Sequence, residues 1–319
     1  MTTNSAAGAT FPDLRKFQDP AVTADGQARA HVALRQLDTL WFCTGTLCNL
    51  ACRNCYIESS PRNDSLVYIS AEEVAEYLDE IERDGLGTRS IAFTGGEPFM
   101  NPDMIPILED TLGRGFETLV LTNAMRPMMK RADELLDLHH RFGRALTVRV
   151  SIDHYTQDLH EAERGPKSWE PAVRGLHWLT SHGFEVDIAG RLFTDETEQQ
   201  MREGYAAFFE REGIDLNARD RNKLALFPEM DTNADVPEIS EGCWSKLGVS
   251  PDDQMCASSR MVIKRKGEER PVVLPCTLLP YNDPQFELGH TLAESFQSVA
   301  LNHPHCATFC VLGGASCGG

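Results

Sequence analysis

Cys48, Cys52 and Cys55 stand within the run Thr46-Leu-Cys-Asn-Leu-Ala-Cys-Arg-Asn-Cys-Tyr56, a CxxxCxxC triplet. Thiolates are soft ligands for iron and zinc, and an iron–sulfur cluster is ordinarily held by four of them. A compact set of three therefore predicts a [4Fe–4S] cluster with one iron lacking a protein ligand and open to a small molecule. Two other readings of the same residues stand beside it: a structural zinc site completed by a distant fourth ligand, and three small buried side chains next to a strand. Zinc sites usually pair their ligands as CxxC with a second pair farther on, and Tyr56 has no role in such a site.

The elements that would position these thiols can be read from the hydrophobic pattern. Short apolar, β-branched runs recur at 39–43, 90–94, 118–122, 146–152, 185–193 and 223–227, with helix-like segments between them. The clearest helix opens at Ser70, where Ser70 and Glu73 form a capping box, and Val74, Tyr77, Leu78 and Ile81 share one face until Gly85. Further helices are predicted over 103–114, 128–142, 169–182 and 196–212. Alternating strands and helices build a parallel sheet with right-handed crossovers, and six such units predict an open, partial (β/α)6 TIM-like barrel. Active sites of that architecture lie in loops at the carboxyl ends of strands. The cysteine triplet follows the first strand, Thr94-Gly-Gly-Glu-Pro98 the second, Thr122-Asn123 ends the third, and Ser151-Ile-Asp153 the fourth.

Of the ten cysteines, four lie between Cys43 and Cys55 and six between Cys243 and Cys317, which implies two metal regions and three segments: an N-terminal extension over 1–36, a barrel over 37–235 and a cysteine-rich domain over 236–319. No charged-then-apolar signal segment opens the chain, and no run is long and apolar enough for a membrane span. A cytoplasmic location is expected, where clustered thiols are metal ligands rather than cystines. The net charge of −18, from 48 acids against 30 bases, argues against a nucleic-acid partner, which needs clustered Lys and Arg.

The triplet followed by an aromatic residue, with Gly-Gly-Glu-Pro about 40 residues on at the next βα loop, resembles the radical S-adenosylmethionine (SAM) superfamily over roughly residues 38–230. The resemblance implies that SAM chelates the open iron through its methionyl amino and carboxylate groups. Gly95 and Gly96 would let backbone approach closely, and Glu97 would accept from the SAM amino group; alone, the motif reads as an ordinary turn before a helix. Ser151 and Asp153 would contact the ribose or methionyl part, with Thr122 and Asn123 lining the same face, although Ser or Asp after a strand is also a common helix cap. Tyr56 would pack near the adenine or in the core. Arg191 would bind a carboxylate of SAM or substrate, or form an ion pair. The implied chemistry is reductive cleavage of the sulfonium C5′–S bond to a 5′-deoxyadenosyl radical that abstracts hydrogen, with the electron supplied by a donor such as flavodoxin or ferredoxin.

Met261 to Lys264 and Pro271 to Leu274 read as a hairpin around Gly267, flanked by Cys256 and Cys276, and a short helix over about 292–301 leads to Cys306-xxx-Cys310. This order of parts resembles the SPASM/twitch subgroup, whose small C-terminal α+β domain binds auxiliary iron–sulfur clusters. It departs from the SPASM pattern in its CxxxC pair and in ending two residues after Cys317. One auxiliary [4Fe–4S] cluster on Cys256, Cys276, Cys306 and Cys310 is expected, with Cys317 and Cys243 as competing ligands, zinc as the rival metal and two clusters as a further arrangement. Cys43 is expected in the core. His303 and His305 are alternative ligands or surface histidines. The substrate is read as a small polar metabolite or a peptide, the metabolite being favoured because no helix-rich peptide-recognition segment precedes the barrel. A methyl or aminocarboxypropyl transferase would use the same triplet but break another sulfonium bond, and a zinc scaffold would do no chemistry.

Overall fold

The first barrel strand, Thr39-Leu-Trp-Phe-Cys43, carries no charge and is buried along nearly its whole length, which requires a hydrogen-bonding neighbour on each side. The computed structural model, which describes residues 13, 15–229, 234–279 and 281–314, supplies both. Strands β1 (Thr39–Cys43), β2 (Ser90–Thr94), β3 (Glu117–Thr122), β4 (Leu146–Ser151), β5 (Glu185–Leu192) and β6 (Leu224–Pro228) run parallel in chain order. On the other side of β1 lies β7 (Ser259–Ile263), also parallel, with β8 (Val272–Leu274) antiparallel at the edge, giving the order β6-β5-β4-β3-β2-β1-β7-β8. The expected hairpin is therefore present, and it continues the barrel sheet.

Period-2 alternation splits the sheet's side chains between two cores. Leu40, Phe42, Ile91, Phe93 and Val120 pack beneath the helices, while Trp41, Cys43, Ala92 and Leu119 face a second cluster shared with Met261, Leu274, Phe286 and Phe309. Cys43 is a core residue, as expected. The helix layer comprises α1 (Ala71–Asp84), α2 (Met104–Gly113), α3 (Arg126–Met129), α4 (Ala132–Phe142), α5 (Gln157–Arg164), α6 (Trp169–Ser181) and α7 (Glu198–Glu212), with α8 (Cys243–Leu247) in the C-terminal segment. Helix α1 has the predicted capping box and ends at Gly85 in the left-handed region, φ 61°.

Three local expectations are corrected. The helix predicted over 128–142 is two helices, because Pro127 stands in the first turn of α3, where its missing N–H costs nothing, and α4 restarts after Arg131. The short helix near 292–301 is a series of turns followed by Val299–Ala300, which pairs antiparallel with His31–Val32. That partner lies far away in sequence and leaves no local signal. Helix α5 was absent from the predicted elements; its buried residues are His160 and Glu163, so the apolar periodicity that reveals a helix is missing.

Residues 15–36, part of the expected N-terminal extension, are anchored to the C-terminal segment. Arg29 is fully buried and its guanidinium meets Glu238 at 2.5 Å, the shortest of several contacts between the two.

Candidate active site

The loop after β1 carries the triplet and is laid along the loop after β2 by backbone hydrogen bonds. Thr44 N donates to Thr94 O at 2.8 Å, Gly96 N to Gly45 O at 2.8 Å and Glu97 N to Leu47 O at 3.2 Å. A Cβ on Gly96 would lie 2.2 Å from Leu47 O, and one on Gly95, where φ is 137°, 2.7 Å from Gly45 O. The two glycines thus admit the backbone of the cysteine loop itself, and their remaining surface borders the cavity.

That cavity, of about 400 Å³, lies at the carboxyl ends of the strands. Its lining includes Cys48, Cys52, Cys55, Gly95, Gly96, Thr122, Asn123, Ser151 and Asp153, all of them predicted site residues. Cys48 is buried and the other two thiols are partly so. Leu50 N donates to Cys48 Sγ at 3.4 Å and Ser59 N to Cys55 Sγ at 3.3 Å, the backbone support that suits metal-bound sulfur. Among the described residues no three His, Cys, Asp or Glu side chains converge to single-ion distance; the fit for a cluster rests on three thiols facing one space with N–H donors behind two of them. Burial pushes the Cys48 thiol up to about 12, the nearby Arg164 acting in the opposite sense.

Glu97 is buried and lies outside this lining. Its Oε1 accepts from Phe99 N at 3.2 Å and Thr122 Oγ1 at 2.8 Å, and its Oε2 from Asn123 N at 2.9 Å, tying the end of β3 to the β2 loop. Burial raises it to about 7 despite these donors. Asn123 Nδ2 in turn donates to Asn49 Oδ1 at 2.9 Å, within the cysteine loop.

Helix α5 contributes residues that the sequence reading missed. Arg164 at its end reaches the cavity and grips Asp153 with Nε at 2.8 Å from Oδ2 and Nη2 at 2.9 Å from Oδ1. Burial works against its charge, but Asp153 and the thiols Cys52 and Cys48 hold its pKa above the ordinary value. Arg191 is bound to Glu163 at 3.0 Å and Glu229 at 2.7 Å, so the ion-pair expectation describes its present partners while its side chain also borders the cavity. Tyr56 is 43% exposed at the rim and hydrogen-bonds Tyr281. Trp41, Leu121, Phe227, Leu278 and Phe309 give the cavity apolar surface, and none of these was predicted as a site residue because each reads as core.

The antiparallel register Met261↔Leu274 brings Cys256, before β7, beside Cys276, after β8. Cys306 and Cys310 lie one above the other on the π-helical segment Cys306–Val311. All four line a second, smaller cavity with Met255, Leu279 and Leu301. Arg260 is fully buried next to it and donates to the carbonyls of Cys256, Ser259, Ser295 and Gln297; no ion pair to a carboxylate is found for it among the described residues. Burial lowers its pKa to about 10, with the nearby Cys256 and Cys276 thiols acting in the opposite sense. A buried cation without a carboxylate suits an anionic group held by those thiols. Cys243 lies outside this cavity, accepting from Ser240 N at 3.4 Å, and Cys317 lies outside the described residues.

The family model for the radical SAM superfamily matches residues 43–204, half of the chain. The chain belongs to the radical SAM superfamily. It is therefore an enzyme of a family that uses a [4Fe–4S] cluster and SAM. It is 27% identical over 274 residues to the antilisterial bacteriocin subtilosin biosynthesis protein AlbA of Bacillus subtilis (strain 168), covering 81% of this chain and 58% of AlbA. It is also 27% identical over 169 residues to mycofactocin maturase MftC of Mycobacterium tuberculosis, covering 53% of this chain and 41% of MftC. The chain thus spans less than two thirds of either relative. Streptococcus suis SuiB, solved bound to precursor peptide SuiA, superimposes with a TM-score of 0.57 at 15% identity, covering 83% of this chain and 66% of SuiB, a likeness of fold. The radical SAM enzyme's cysteine-rich C-terminal segment fits an auxiliary-cluster region, in line with the SPASM/twitch subgroup. No helix among its described residues is long and apolar enough to cross a membrane.

Proposed function

We propose that this radical SAM enzyme modifies a peptide, with Cys48, Cys52 and Cys55 holding the SAM-binding [4Fe–4S] cluster and the C-terminal cysteines an auxiliary one. The observation that carries the reading is the cavity whose lining brings together the triplet, the Gly95–Gly96 backbone and the Asp153–Arg164 pair, with apolar surface from Trp41, Phe227 and Phe309. With its SAM bound, the cluster supplies reductive cleavage of the sulfonium and so the power to remove hydrogen from an unactivated carbon. Around it, the protein positions and excludes. Asp153 is held by Arg164 through one hydrogen bond and a second close ion-pair contact, and we assign it, with Ser151 and Asn123, to the polar parts of SAM. Tyr56 at the rim is assigned to the adenine. The apolar surface is assigned to the substrate's reacting side chain, and Leu278 and His305, common to both cavities, form the partition between substrate and auxiliary cluster.

AlbA and MftC, named for bacteriocin biosynthesis and for maturation of mycofactocin, and SuiB, solved with a precursor peptide, turn the substrate reading from the small polar metabolite toward a peptide. A small electron-transfer protein of the flavodoxin or ferredoxin kind is the proposed donor. We further propose the divisions at residues 36 and 235 as the working domain limits. The test is anaerobic reconstitution with SAM and a reductant, followed by mass spectrometry of the SAM fragments. Wild type is expected to yield 5′-deoxyadenosine and Cys52→Ala none; equal yields would refute the assignment, and methylthioadenosine instead would identify an aminocarboxypropyl transferase.

A further inference from the structure

His305 borders both the large cavity and the smaller one lined by Cys256, Cys276, Cys306 and Cys310. Its Nδ1 lies 2.8 Å from the carbonyl oxygen of Leu278, which can only accept, so Nδ1 carries the ring proton and Nε2 presents a lone pair. Nε2 is buried and has no hydrogen-bond partner among the described residues. A buried acceptor left unfilled costs on the order of 1–3 kcal/mol, so something is expected to occupy it. An imidazole with one nitrogen donating to a backbone carbonyl and the other free is the arrangement of a metal-ligating histidine, the carbonyl fixing ring orientation and tautomer. The anchoring is tied to the thiols on both sides: Leu278 lies two residues after Cys276, and His305 immediately precedes Cys306. Of the four thiols lining the small cavity, Cys256, Cys276 and Cys306 are buried and Cys310 is the least so.

The geometry points to His305 as a ligand of the auxiliary cluster through Nε2, completing a set with Cys256, Cys276 and Cys306 and taking the position otherwise assigned to Cys310. The inference rests on the reading that these three cysteines hold an iron–sulfur cluster. A neutral imidazole in place of a thiolate leaves the cluster less negative and raises its reduction potential, as histidine ligation does in other iron–sulfur centres. On this account His305 sets the redox character of the cluster on the partition facing the substrate.

The test uses the full chain with its clusters reconstituted, reduced, and prepared with ordinary and with 15N-labelled histidine. Pulsed electron paramagnetic resonance is expected to show a strong nitrogen coupling that changes on labelling, disappears in His305→Cys and persists in His303→Gln and in Cys310→Ser, the last keeping its auxiliary iron. His305→Cys is also expected to shift the auxiliary potential to a more negative value. A spectrum indifferent to histidine labelling in protein containing the iron of two clusters would overturn the proposal and leave the auxiliary cluster intact. Loss of auxiliary iron in Cys310→Ser, with His305→Cys spectroscopically unchanged, would restore the four-thiolate set. Iron for only one cluster would overturn the auxiliary reading and this inference with it.

Discussion

At the scale of single residues, the site is built by buried charges that neutralise one another and by three thiols that line one cavity. Asp153 and Arg164 form an ion pair with side chains 4% and 15% exposed, so removing one partner strands a mostly buried charge. Arg164→Met is expected to cost about 3 kcal/mol in denaturant unfolding, and Arg164→Met with Asp153→Asn appreciably less. Equal losses in the single and double variants would show that the pair is not coupled. Asp153 was legible as a polar residue at a strand end. Arg164 was not, because an Arg beside Glu163 on a polar segment looks like any solvated charge until the fold turns it inward. Glu97, expected from its motif to accept from SAM, instead accepts from Phe99 N, Thr122 Oγ1 and Asn123 N and joins two loops.

At the scale of elements, the two cysteine-bearing regions depend on different kinds of contact. The triplet loop depends on backbone lying against backbone at Gly96, which leaves no room for a methyl group. Gly96→Ala is expected to lose about 1–3 kcal/mol of stability and most of the iron taken up by the triplet. Gly113→Ala, with nothing within 4 Å of the added carbon, should leave both unchanged and serves as the control. Helix α5 carries His160, fully buried with neither ring nitrogen partnered, and burial lowers its pKa from 6.5 to about 4. The neutral form is therefore favoured in the fold, so this contribution to stability is complete above pH 6.5 and is lost as pH falls toward 4. His160→Phe, which keeps a ring against Trp169, should make the decline between those values shallower, by about 2 kcal/mol at the acid end. Urea unfolding at both ends of the window measures it, and identical slopes would contradict the account. The strands were legible almost to the residue because each is an apolar run bounded by turn residues. Helix α5 was illegible because its buried face is polar, and the short α3 was merged with α4 because the apolar pattern over 128–142 runs on past Lys130 and Arg131.

At the scale of the whole molecule, the hairpin that brings Cys256 and Cys276 together is hydrogen-bonded to the strand that precedes the triplet. One continuous sheet therefore sets the spacing between the two thiol-lined cavities, and Leu278 and His305 are common to both. A hairpin pattern states that two strands pair with each other; it cannot state which third strand they join, so this continuity had no local signature. The same is true of the anchoring of residues 15–36 by Arg29 and Glu238. SAM is proposed to bind at the cluster of the triplet, not at the auxiliary one. The direct measurement is the electron paramagnetic resonance spectrum of the reduced protein with and without SAM, for wild type and for variants with either set of cysteines replaced by alanine. SAM is expected to shift the spectrum of wild type and of the variant lacking Cys256, Cys276 and Cys306, and to leave unchanged any signal of the variant lacking Cys48, Cys52 and Cys55. A SAM-dependent shift that survives in the variant without the triplet would contradict the account.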